Sequence, residues 1–428
     1  MAEDLITDAV AIPTEINHPS DEARARFEEA NQQEQRGKLE KLLRVLLPVL
    51  GMIIAVYTLV LAILFLLGWT AAPLPFAQAS ETEVEESTEV AAVSPSDDLS
   101  AWSDEELAAQ LVMVTVPLGN TVEIQSWASR GIGGILLVGD NAATSMQSDI
   151  AGAQDSEPLG VDAFIAVGGR CGDSSSLNAI APNLASEKKL SKLKTTEVTE
   201  ATRAAGLELQ SQGVNVVFGP AADLTQTGAQ LAKAERTFVG GADKVAQYAR
   251  AWSAGMNTSG VGTVLKHWPG LGGYADVSQV VTTYRSWADS EKDDVRAFDQ
   301  AVDGTTTMVL VGHVIIPDLT EPGRPASVSK KAMEYLRGKV GDTVILLSDD
   351  TSILKGSNTV ASSEEAAVMA LQAGADMVLC NPVSADDTTA LSAITDAISS
   401  GAIARADAEA KVARILSAKT NLGLSLTK

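Results

Sequence analysis

Eight short apolar runs separated by helical patterns, with no glycine-rich phosphate fingerprint after any early strand, predict an α/β fold: a (β/α)8 TIM barrel over residues 101–428. The runs are VMVTV from Val112, IGGILLV from Ile132, AFIAV from Ala163, NVVFG from Asn215, GTVLK from Gly262, TMVLVG from Thr307, TVILLS from Thr343 and ADMVLC from Ala375. Such unbroken apolar runs imply strands buried on both faces, as in a parallel sheet with helical crossovers. SEKDDVRAFDQAV and SEEAAVMALQAG supply the helical pattern between them. A doubly wound open sheet is the competing arrangement, but no GxGxxG or GxxxxGK[ST] is present to serve it.

Three segments precede the barrel. Residues 1–44 are polar and mixed in charge, which predicts a mostly disordered cytosolic tail. Its scattered apolar positions, Leu5, Ile6, Val10, Ile12 and Ile16, suit either a passive topogenic segment or a peptide that docks on a cytosolic protein. Residues 45–69, VLLPVLGMIIAVYTLVLAILFLLGW, are uncharged and about 25 residues long, enough for a single transmembrane helix. The AQA before Ser80 is compatible with signal cleavage, yet the apolar run is too long for a signal peptide, so an uncleaved anchor is favoured. Arg36, Lys38, Lys41 and Arg44 on one side and Glu81, Glu83, Glu85, Glu86 and Glu89 on the other place the N-terminus in the cytoplasm and the barrel outside. Residues 70–100 form an acidic Pro/Ser/Thr linker, and Ser103 with Glu106 has the form of a capping box that opens the barrel.

The formal net charge of −23 excludes nucleic acid as a partner, since phosphate neutralisation needs a basic footprint. An oxidising compartment permits a Cys171–Cys380 disulfide; two unpaired thiols fit the sequence equally well. The three histidines, His18, His267 and His313, have no close-spaced carboxylate or thiol companions, so no metal and no cofactor is expected.

In a barrel of this kind the chemistry sits at the C-terminal ends of the strands. That rule selects Gly168 to Arg170, Asp223, Lys266 with His267, His313, Ser348 to Asp350, and Cys380 with Asn381. Any one of these could be a structural hydrogen-bond partner; their concentration at one face points to a site.

These strand ends resemble glycoside hydrolase family 3, in particular its single-domain bacterial β-N-acetylglucosaminidases, which trim peptidoglycan fragments. IGGILLVGDN is similar to the family's second strand, GVNVVFGPAADL to its fourth, AERTFVG to its RSFG turn, and KHWPGLGG to KHFPGHG. GHVIIPDL followed by RPASVS resembles the AHV and P-A-S segments, and LLSDDTSI resembles SDDLSM. The resemblance implies a retaining double displacement with Asp349 as nucleophile. It further implies that Asp223, Arg236, Lys266, His267, His313 and Arg170 contact the sugar. In this branch a loop histidine, in a D-S-H triplet, is the general acid.

Two departures stand against that chemistry. Counted from Lys266 and His267, the histidine of GHG falls on Leu271 and the loop histidine on Gln279. Glutamine carries no proton that titrates near neutrality, and loss of general acid catalysis typically costs about 10² to 10⁴ in rate. The family's DQEGGR after the third strand is replaced by AFIAVGGRCGD, without the two acids before the glycines. Asp276, on the same loop as Gln279, is the candidate substitute acid. Two readings follow. One is a catalytically impaired, membrane-anchored barrel that meets a cell-wall glycan or an extracytoplasmic protein at its mouth. As a receptor or scaffold it would link the wall to a cytosolic partner such as cell division or elongation machinery. The other is an active retaining β-N-acetylglucosaminidase or β-glucosidase. A lectin-like module with a dispensable tail is a third.

Overall fold

The computed structural model describes residues 99–426 apart from 143, 169–174, 275–278, 284, 305, 356–359 and 385. The tail, the apolar segment 45–69 and the linker up to residue 98 therefore lie outside the described residues, as do Arg170, Cys171 and Asp276. Among the described residues no helix is long and apolar enough to cross a membrane.

All eight apolar runs form strands: β1 (Val112–Pro117), β2 (Gly134–Val138), β3 (Phe164–Gly168), β4 (Val216–Phe218), β5 (Gly262–Trp268), β6 (Met308–Val311), β7 (Ile345–Ser348) and β8 (Met377–Cys380). Each pairs in parallel with its neighbours in sequence, and β1 returns to β8 through Val112 opposite Val378, so the sheet closes into an eight-stranded barrel. Closure removes both sheet edges and buries β5 along its whole length. The unbroken apolar character of the runs follows from that burial.

Helix α1 (Asp104–Gln110) precedes the barrel. Then α2 (Thr121–Ala128), α3 (Met146–Asp155), α4 (Thr195–Ser211), α5 (Ala242–Thr258), α6 (Arg296–Ala301), α7 (Lys330–Val340), α8 (Ser363–Ala373) and α9 (Thr389–Ser399) follow β1 to β8 in turn, and α10 (Arg405–Asn421) closes the described chain. The capping box is formed: Ser103 Oγ accepts from Glu106 N at 3.1 Å, and Ser103 N donates to Glu106 Oε2 at 2.7 Å. Helical structure is present within the stretch assigned to the linker. Leu99–Ala101 is a helical turn whose carbonyls, with that of Trp102, receive the Arg405 guanidinium from α10.

Two features show how composition sets packing. Gly255 of α5 faces α4 so closely that a Cβ would lie 2.0 Å from Thr202 Oγ1 and 2.3 Å from the Thr199 carbonyl. At the N-terminal end of the barrel Lys419 is fully buried, its Nζ donating to Gln110 Oε1 at 2.8 Å and lying 5.2 Å from the Phe164 ring centre. Burial pulls its pKa down to about 7, with the Glu157 carboxylate opposing that fall.

The polar run before α6 departs from a plain helix. Trp287–Ser290 leads into a π-helical turn at Glu291–Val295, which widens the backbone just where Asp293 and Asp294 sit. A short strand pair, Val281–Thr282 beside Val314–Ile315, ties the chain after the β5 loop to the chain after β6.

Gly255→Ala tests the helix contact: forcing a methyl into backbone should destabilise the protein by about 1–3 kcal/mol. A thermal or denaturant melt indistinguishable from that of the native protein would contradict the close approach.

Candidate active site

The C-terminal mouth of the barrel holds a cavity of about 300 Å³ lined from β2 round to β8 by Leu136, Val138, Gly168, Phe218, Lys266, His267, Leu310, Asp349 and Leu379. Arg236, Ser175 and Ser176 complete it from the loops. Of the residues singled out in the sequence, Asp349, Lys266, His267 and Arg236 meet here.

Lys266 and His267 are adjacent in sequence, yet both line the cavity. Along β5 and β6 the pairing runs Leu265 opposite Val309 and then Trp268 opposite Val311, so β5 carries one extra residue between those pairs. A bulge of this kind breaks strict alternation and re-aims side chains at a barrel rim. The Lys266–His267 peptide is cis. Lys266 is buried and donates to the Phe218 carbonyl at 2.5 Å, so its charge sits at the end of β4.

Asp223 has a different place from the one expected of it. It is fully buried and does not line the cavity. Its Oδ2 accepts from His267 N at 3.1 Å and pairs with His267 Nδ1 at 2.9 Å, while Oδ1 accepts from Leu271 N at 2.6 Å. A sugar hydroxyl would have to compete with all three; in this structure Asp223 orients His267. The strand it was assigned to ends earlier, at Phe218, and it is Phe218 that faces the cavity. Because a carboxylate only accepts, Nδ1 of His267 carries the hydrogen and Nε2 is the ring's remaining polar atom.

His313 likewise does not line the cavity. It is buried, its Nε2 donates to the Asp350 carbonyl at 2.8 Å, and its Nδ1 pairs with Ser327 Oγ at 2.7 Å. With both nitrogens committed, it pins the tip of β7 and so steadies Asp349 next door. Asp349 N continues the barrel ladder to the Val311 carbonyl at 2.9 Å, and its Oδ1 accepts from Asp350 N at 2.9 Å. Burial raises the Asp350 pKa, against hydrogen bonds from Ser352.

Arg236 reaches the cavity from a turn fixed by the residue before it. Glu235 has φ +56°, in the left-handed region, and its carboxylate accepts from Ser186 Oγ at 2.9 Å and Lys188 Nζ at 3.1 Å. The Lys188 hydrogen bond, then that of Ser186, holds the Glu235 pKa below its ordinary value.

The two positions at which the chain departs from the motif are also placed. Leu271 is buried in the core, with its N–H on Asp223. Gln279 is exposed and absent from the cavity wall. Cys380 is a buried free thiol, 3.7 Å from Thr351 Oγ1, with its pKa pushed up to about 12 by burial, and its sequence-permitted partner Cys171 lies outside the described residues. No cluster able to hold a metal ion occurs among the described residues.

Residues 104–418 match the model of the glycosyl hydrolase family 3 N-terminal domain. The chain belongs to glycoside hydrolase family 3. Within the family it is 31% identical over 201 residues to the beta-hexosaminidase LpqI of Mycobacterium tuberculosis, a match covering 45% of this chain and 52% of that protein. The chain thus spans about half the length of the curated relatives it matches. Among solved structures, a family 3 glycosyl hydrolase from Mycobacterium smegmatis superposes with a TM-score of 0.67 at 26% identity, covering 75% of this chain and 98% of the other. The beta-N-acetylhexosaminidase of Beutenbergia cavernae gives 0.65 at 25% identity, covering 74% and 98%.

Sequence reasoning missed one titratable group of this family 3 barrel. Asp294, on the π-helical turn, lies against Gly270 of the KHWPGLGG loop, where a Cβ would be 2.8 Å from the Asp294 Cβ. Burial raises its pKa to about 6, outweighing the Arg285 guanidinium 2.5 Å away, and the nearby Asp223 adds to the rise. The run EKDDV looks like a solvated helix face, so only the π turn reveals that one of its aspartates points inward.

A folded-state pKa above the ordinary 3.8 gives stability that is complete below that value and is lost as pH rises through about 6. Asp294→Asn removes the titration. Its stability relative to the native protein should therefore shift in the variant's favour by up to about 3 kcal/mol between pH 4 and 7. A difference that stays constant with pH, measured by denaturant unfolding, would contradict the burial of this carboxyl.

Proposed function

We propose that this protein is a membrane-anchored, extracytoplasmic family 3 barrel that grips an amino sugar of a cell-wall glycan but turns it over poorly. It acts as a receptor or scaffold joining the wall to a cytosolic partner held by residues 1–44. One observation carries the reading: the mouth keeps Asp349, Lys266, His267 and Arg236 around one cavity, whereas the position matching the loop histidine is Gln279, exposed and off its wall.

The chemistry follows from those groups. Lys266, His267 and Arg236 supply donors to sugar hydroxyls, and Asp223 and His313 hold the walls in place. Asp349, at the tip of β7 and on the cavity wall, serves in this reading as the nucleophile of a double displacement at the anomeric carbon. Departure of the leaving oxygen requires a proton, and the amide of Gln279 cannot deliver one. Binding is preserved while the step that needs the donor is slowed.

The preserved Asp349 position also favours a second reading, an active retaining hydrolase that draws its proton from Asp276 or another group. Turnover of a chromogenic N-acetylglucosaminide by the purified protein separates the two. The impaired reading expects saturable binding, slow turnover, and a rise of roughly 10²-fold on Gln279→His. Brisk turnover that disappears in Asp276→Asn would establish the active enzyme instead. For the receptor half, deletion of residues 2–30 should abolish a cytosolic interaction or change localisation; unchanged behaviour in both respects would remove it.

A further inference from the structure

A second cavity, of about 240 Å³, lies behind the KHWPGLGG loop, with Pro269, Gly270, Gly273 and Tyr274 forming one wall. The opposite walls come from Thr283 and Arg285, from Ser290 and Asp294 at the π-helical turn, and from Val314 and Ile316 after β6. Gln226, whose N–H donates to the Gly272 carbonyl at 3.2 Å, completes it. None of these residues lines the cavity at the barrel mouth. The two spaces share the loop itself, which Asp223 grips through His267 and Leu271.

We propose that this second cavity is an accessory binding site for a single neutral sugar ring. Its volume falls below the roughly 300 Å³ at which pockets for drug-sized ligands begin, so it admits one ring and not an oligosaccharide. Its charges exclude an anion. Arg285 is paired with Asp294 at 2.5 Å and with Asp293, and its Nη2 also donates to the Asp289 carbonyl at 3.2 Å, which leaves the neighbourhood acidic and closed to phosphate or carboxylate. The same arrangement suits vicinal hydroxyls: a carboxylate oxygen and a guanidinium fixed side by side offer an acceptor and a donor to adjacent O–H groups. The Gln226 amide and the hydroxyls of Thr283 and Ser290 add further neutral partners. Val314 and Ile316, both buried apolar side chains, with the Tyr274 ring, match the C–H face of a pyranose. The inference rests on the chemistry of this cavity and is independent of turnover at the mouth.

The test is photo-crosslinking of the purified full-length protein with a diazirine-bearing N-acetylglucosamine, with the labelled peptides mapped by mass spectrometry and free N-acetylglucosamine as competitor. The expected result is competed labelling of peptides spanning 269–274 or 283–294. That labelling should fall at least tenfold in Gln226→Ala combined with Tyr274→Ala, and again in Thr283→Val alone, with melting still cooperative and any mouth labelling at 136–139 or 175–176 retained. Labelling confined to the mouth, labelling unaffected by these variants, or no competed labelling at all would overturn the second site. Labelling of the second cavity without the mouth would support it while removing the proposed grip at the mouth.

Discussion

The barrel mouth depends on one buried carboxylate. Asp223 receives the backbone N–H of His267, the ring N–H of His267 and the backbone N–H of Leu271, and so fixes both the end of β5 and the loop that leaves it. Hydrogen bonds to a charged acceptor contribute about 1.5–3 kcal/mol each, and removing the acceptor would strand two buried backbone donors. The position of the second cavity follows from the same constraint, because its wall is the far side of that loop.

A division of labour emerges among groups that look alike in sequence. His267 lies near the end of β5 and His313 just after β6, yet one lines the cavity and the other has both nitrogens bound to Ser327 and the Asp350 carbonyl. Asp349 and Asp350 are neighbours, yet Asp349 lines the cavity while the Asp350 side chain caps the turn at Thr351–Leu354 by accepting from Ser352 N at 2.9 Å. The site is a thin layer of exposed function over a layer of residues that hold backbone.

The architecture was largely legible in the sequence, because strands buried on both faces are predominantly apolar and all eight runs are. The capping box at Ser103 was legible for the same kind of reason: its two reciprocal hydrogen bonds need only local chain. Membership of the cavity was less so. A residue near a strand end is visible in sequence, but whether it faces the cavity or a neighbouring backbone depends on the one-residue bulge in β5 and on where β4 stops. Asp223 and His313 do not line the cavity, because their polar atoms are taken up by neighbouring backbone and side chains. Asp294 escaped notice because a π turn, not a helical period, turns it inward.

The proposed function requires that this family 3 mouth keep its nucleophile and its grip on the sugar but lack the proton donor. The most direct measurement compares a 2,4-dinitrophenyl N-acetylglucosaminide, whose leaving group departs without protonation, with an alkyl N-acetylglucosaminide, whose leaving group does not. In an impaired barrel of this kind the activated substrate should glycosylate the protein on the peptide bearing Asp349, Asp349→Asn should abolish the label, and the alkyl glycoside should be turned over at least 10²-fold more slowly. Comparable rates for the two substrates would mean that a proton donor is present; no labelling by the activated substrate would mean that Asp349 is not a nucleophile at all.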